Sequence, residues 1–103
     1  MPRTRHYVHD EALGVGIDST GELLTLQTAD RDRVTVSIEA DVSSDFALDV
    51  KFSPDGSFVT GFDTFGTTAS VSTVQDLTVY EVRIRNTTAQ TAGDTADVRL
   101  GAE

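Results

Sequence analysis

The feature that most limits what this chain can fold into is the period of its apolar residues. They recur at every second position, in short runs. Val34, Val36 and Ile38 alternate with Arg33, Thr35, Ser37 and Glu39. Phe46, Leu48, Val50 and Phe52 alternate with Ala47, Asp49, Lys51 and Ser53, and Tyr80, Val82 and Ile84 alternate with Glu81, Arg83 and Arg85. Successive side chains of a strand point to opposite faces, so this period builds strands with one apolar face. The β-branched content favours the same choice. No stretch of helix length carries an apolar stripe at helical spacing.

Turn residues cut the chain between these runs. Leu13, Val15 and Ile17 form a first alternating segment that ends at Asp18-Ser19-Thr20-Gly21. In the next, Leu24 and Leu26 share one face and Leu23 and Thr25 the other. Residues 40–45, ADVSSD, read as a polar connection. Ser53-Pro54-Asp55-Gly56 is the strongest local signal, because proline presets the second position of a tight turn and Asp-Gly accepts a positive backbone angle. Residues 46–62 are therefore expected to be a β-hairpin. Residues 63–70 read as a turn, with Phe65 at a rim or interface, and a short strand follows at 71–74. After the strand containing Val82, residues 86–94 read as a polar hairpin loop. Ala96, Val98 and Leu100 point inward in the last strand, and 101–103 read as a tail. The expectation is all-β: an antiparallel β-sandwich, jelly-roll or immunoglobulin-like, of seven to eight short strands, with a small barrel as the related alternative.

Length and charge fix the setting. A chain of 103 residues suffices for one small core. Residues 1–10 form a basic N-terminal arm, with Arg3, Arg5, His6 and His9 against the single acid Asp10; residues 11–103 form the single β-sandwich domain. The whole carries 17 acids, twelve of them aspartate, against 8 basic residues, for a net charge of -9, and its only lysine is Lys51. Aspartate with arginine in preference to lysine resembles proteins of halophilic archaea. At molar salt the Debye length falls to about 3 Å, and self-repulsion is largely screened. The charge argues against nucleic-acid partners. No apolar run is long enough to span a membrane, and no secretory signal is visible, which points to the cytoplasm or to export within something larger. A core this small would gain from a permanent oligomeric interface.

Few residues are placed for chemistry. With no cysteine there is no thiolate nucleophile or thiolate metal site. His6 and His9 lie in the arm, where a mobile surface pair is favoured over zinc binding. No serine has a base in reach, and no G-x-S-x-G elbow or phosphate loop occurs. Asp41 with Asp45, Asp30 with Asp32 and Asp55 with Asp63 are carboxylate pairs of a kind that an acid-rich surface produces by chance. Asp30-x-Asp32 and Asp94-x-x-Asp97 are only fragments of a calcium loop. No catalytic residue, metal ligand or cofactor is assigned, and the chain is not expected to be an enzyme. Arg83 and Arg85 share a strand face, and Arg99 joins them if the two last strands pair. Such a stripe either receives an acidic partner or pairs internally.

Residues 80–100, YEVRIRNTTAQTAGDTADVRL, and the segment FALDVKFSPDGSFVTGFDTF resemble small β-sandwich virion proteins of head-tailed viruses infecting halophilic archaea, over about half of the chain. This chain has Phe58 where those often have tryptophan. The resemblance implies a non-catalytic capsid decoration or turret subunit, or a part of a tail or fibre. It would be a homo-oligomer in the virion, contacting the major capsid protein or another virion protein. Arg3, Arg5, His6, Tyr7, Arg83, Arg85 and Arg99 are then the candidate arm and interface residues. Two alternatives stand beside it: a carbohydrate- or receptor-binding module of a fibre or tail, with Phe62, Asp63 and Phe65 as its ligand site, and a small cellular halophilic β-protein.

Overall fold

The computed structural model describes residues 7–29 and 31–103. They form six strands and no helix: β1 (Val8–Gly16), β2 (Gly21–Gln27), β3 (Val34–Lys51), β4 (Val59–Gln75), β5 (Glu81–Asn86) and β6 (Thr95–Ala102). Every paired neighbour is antiparallel. The order is β1-β6-β3-β5-β2, with β4 also on β3.

The 18-residue β3 organises the whole. Its first half pairs with β6, from Val34↔Ala102 to Ala40↔Ala96, and its second half pairs with β5, from Phe46↔Asn86 to Lys51↔Glu81. β4 follows β3 along the other edge, from Val34↔Gln75 to Val50↔Val59. β1 extends the sheet beyond β6, and β2 extends it beyond β5. One long ribbon thus bends across a single six-stranded sheet and divides it into two halves, a first and a second sheet. The first holds β1, β6 and the 34–40 part of β3; the second holds β2, β5 and the 46–51 part. Together they make a nearly closed antiparallel barrel. Six strands form, rather than seven or eight separate ones, because β3 and β4 each serve both sheets.

The bend lies where the sequence reads as a connection. Residues 40–45 are strand, with register shifts against β4 on both sides of Ser44. Residues 63–70 are strand as well. The fold-back of β4 is large. Gln75 Nε2 donates to Asp63 Oδ2 at 2.7 Å across 12 residues, whereas a straight strand would set them about 40 Å apart. That bond ties the two halves of β4 together.

Period-two alternation survives in the buried set. Val34, Val36, Ile38, Phe46, Leu48, Val82, Ile84, Val98 and Leu100 are all essentially inaccessible. Asn86, also buried, closes one end: it accepts from Ser44 Oγ at 2.7 Å and donates to the carbonyls of Ile17, Ser19 and Thr88. The turn after β1 and the loop after β5 are pinned to the bend in this way, which satisfies polar groups that burial would otherwise penalise.

Four expectations of side-chain placement change. Tyr80, expected to face inward, precedes β5 and is only half-buried, while Val79 packs in the core. The pairing of β1 slips between Ala12 and Val15, where Gly14 has a φ of 64°. Ala12 and Val15 therefore pack on the core and Leu13 is exposed. Phe52 lies past the end of β3 and is exposed too. Gly101 and Ala102 are not a tail but the buried end of β6, and Glu103 exchanges backbone hydrogen bonds with Arg33. The hairpin forms as expected, with Gly56 N donating to Ser53 O at 3.1 Å in its turn.

Candidate functional site: two outer faces and an open edge

The second sheet seals its outer face. Asp49 sits on the polar side of the alternation, yet it is fully buried. The cause is non-local. Between Leu48↔Asp63 and Val50↔Val59, β4 carries two more residues than β3. The resulting bulge places Gly61, at a φ of 67°, over the carboxylate, and Gly61 N donates to Asp49 Oδ1 at 2.8 Å. Arg83 Nε and Nη2 reach Oδ2 at 2.9 Å. Arg85 Nε reaches it at 2.8 Å, and Arg85 Nη2 donates to Oδ1 at 3.2 Å. Burial, the largest influence, pushes the Asp49 carboxyl up; the bonds from Arg85, Gly61 and Arg83 together outweigh it and hold the pKa below the ordinary carboxylate value. Asp49 in turn raises the Arg85 pKa further. The Phe58 ring lies over the Arg83 guanidinium at 4.1 Å, and Lys51 pairs with Glu81 at 3.3 Å.

Arg83 and Arg85 are thus engaged inside the molecule. Arg99 does not join them: β5 and β6 do not pair, and each flanks a different half of β3. Its guanidinium pairs with Glu11 at 3.1 Å instead. Arg3, Arg5 and His6 lie outside the described residues, as does Asp30. Phe62, Asp63 and Phe65 lie together on β4 in different settings. Phe62 projects from the bulge, Asp63 is held by Gln75, and Phe65 stands opposite Phe46 and packs against the core.

The first sheet leaves its outer face open. Two cross-strand rows run over it. One is His9–Gly101–Thr35–Val74, and the other is Glu11–Arg99–Ser37–Ser72. They floor a groove of about 370 Å³. Tyr7 forms one wall. Its ring stacks on His9 at 5.3 Å, and it leans over Gly101, where a Cβ would come within 2.6 Å of Tyr7 Oη and 2.7 Å of Thr35 Oγ1. Val74, 62 % exposed, forms the other wall. Sequence reasoning singled out Tyr7 and Arg99 but not their meeting, because the cross-strand register that joins them is set by β6.

The third feature is the free edge of β4. Among the described residues β4 pairs only with β3. Its 17 residues carry a single charge, on Asp63, and no proline. Val59, Phe62 and Val74 are exposed along it.

Among the described residues no group of three or more His, Cys, Asp or Glu side chains is placed to hold a metal ion. No helix there is long and apolar enough to cross a membrane. Asp45 serves the bend: its carboxylate accepts from Thr67 Oγ1 at 2.7 Å and Thr88 Oγ1 at 2.8 Å, and these bonds lower its pKa. Comparison with protein-family models, with curated proteins and with solved structures finds no match to this chain.

Proposed function

We propose that this chain is a structural assembly subunit whose copies join through the β4 edge. The observation that carries the reading is the nearly uncharged, unprotected edge of a strongly acidic molecule. Copies with a net charge of -9 repel one another over most of their surface. Along Val59–Gln75 that repulsion is nearly absent, and in the 70–75 part, past the bulge and register shifts, the usual protections of an open edge, charge, proline and bulges, are missing. The 70–75 part, SVSTVQ, holds no charge at all and suits antiparallel pairing with its own copy about a two-fold axis. The first sheets of two copies then continue into one another.

The biological setting we propose is the surface of a haloarchaeal tailed virus, as a decoration or turret subunit. The aspartate-rich composition and the resemblance of residues 80–100 support it. The test is the mass of the protein in molar KCl by light scattering, over a range of concentrations. A dimer or larger species is expected, and Val74→Lys combined with Ser72→Lys should return it to monomer while the fold persists. A wild-type monomer at every concentration would end the assembly reading, and absence of the protein from purified virions would end the viral one.

A further inference from the structure

We propose that the groove between Tyr7 and Val74 is a binding site for a neutral pyranose. The inference does not depend on assembly: pairing at the β4 edge lies in the plane of the sheet and leaves this face open.

The groove has the size of a small-ligand site. Its chemistry selects among ligand classes. Asp10, Glu11 and Arg99 are its formally charged lining groups, so its balance is one negative charge on an already acidic body. Phosphates, sulfates and acidic sugars are therefore disfavoured. The lining is largely apolar but carries the hydroxyls of Ser37, Ser72 and Thr35, a mixture that suits a ligand with both C–H and O–H surfaces. Arg99 and Glu11, each about half exposed, engage one another through a single Nε–Oε2 contact at 3.1 Å. The remaining guanidinium N–H groups and Oε1 can meet vicinal hydroxyls as donors and acceptor. The exposed Tyr7 ring offers a flat apolar wall to the C–H face of a sugar ring.

The wall is built rather than incidental. With no side chain at residue 101, Tyr7 leans over β6; a Cβ there would push the Tyr7 and Thr35 hydroxyls aside. The backbone there is ordinary strand, so a substitution at 101 acts through the space above it and not through φ.

The experiment uses the full chain in molar KCl with methyl glycosides of glucose, galactose, mannose and N-acetylglucosamine. Saturation transfer from protein to sugar protons is recorded, together with the protein's amide shifts. At least one glycoside should receive saturation and shift the amides of Gly101 and Thr35. Tyr7→Ala and Gly101→Ala should each weaken binding by about tenfold, the scale of one lost aromatic contact, with the amide spectrum otherwise retained. Phe62→Ala should bind as wild type. No saturation transfer to any of the four sugars would overturn the proposal. So would shifts centred on Phe62 and Phe65, or unchanged binding by a folded Tyr7→Ala protein.

Discussion

The two outer faces of the barrel are made from the same ribbon and end in opposite states. In the 34–40 part of β3, the outward residues Thr35, Ser37 and Glu39 remain accessible. In the 46–51 part, the outward Ala47 and Asp49 are buried. Strand pairing does not separate them, since β4 covers both halves along the same edge. What differs is the bulge at Gly61 together with the two arginines of β5. They convert an ordinary polar position into a closed ionic cluster, while the first sheet, without such a cover, keeps a groove. A face is sealed here by one inserted loop of strand and three converging side chains, not by a change in hydrophobic content.

The largest effect on this contrast should come from Asp49→Ala. It leaves Arg83 and Arg85 facing each other with no carboxylate between them, and loss of one partner from a buried charge cluster costs about 3–5 kcal/mol. Urea denaturation in molar KCl measures it. A loss below about 1 kcal/mol, the range of exposed pairs, would mean that the cluster is solvated.

The pH dependence sharpens the same point. Asp49 is held below its ordinary pKa of 3.8 in the fold. Its contribution is therefore complete above that unfolded value and is lost as pH falls through the lower folded pKa. The stability gap between wild type and Asp49→Asn should be flat near neutrality and shrink below about pH 4. A gap that instead grows on acidification has the wrong sign for a depressed carboxyl.

Gly61→Val removes the left-handed conformation that lets the bulge donate to Asp49, at a cost of about 1–2 kcal/mol. The substitution meets open space, so backbone strain alone is at issue. On the open face, Arg99→Ser should change stability by less than about 0.5 kcal/mol, because its pair with Glu11 is exposed. Equal losses at Asp49 and Arg99 in parallel melts would erase the distinction between the faces.

Local pattern made much of this legible. The apolar period of residues 34–38, 82–84 and 96–100 names most of the core, and Pro54-Asp55-Gly56 names the hairpin turn. The bend escaped because ADVSSD offers only the small Ala40 and Val42 on its inner face before the polar Ser44, and four polar residues in six read as loop although both apolar side chains pack against the core. Only the middle of β4, residues 63–70, escaped: DTFGTTAS is rich in threonine with Asp, Gly and Ser and has one large apolar residue, a composition that reads as turn. Asp49 carried no local signal of burial, since the bulge that covers it is set by residues 60–62. Leu13 and Ala12 exchanged faces because one glycine shifted the register. The groove depends on bringing Arg99 of β6, Val74 of β4 and Tyr7, just before β1, together, a placement fixed only by the strand order.

The assembly reading is tested most directly by amide hydrogen exchange of residues 70–75, followed against protein concentration in molar KCl. The N–H groups on the free side of β4 should exchange quickly in dilute solution and become protected as the protein associates, while amides of β3 and β6 hold a constant, slow rate. Exchange of β4 that is independent of concentration, in samples shown by light scattering to be associated, would place the contact elsewhere and contradict the β4 edge as the joining surface.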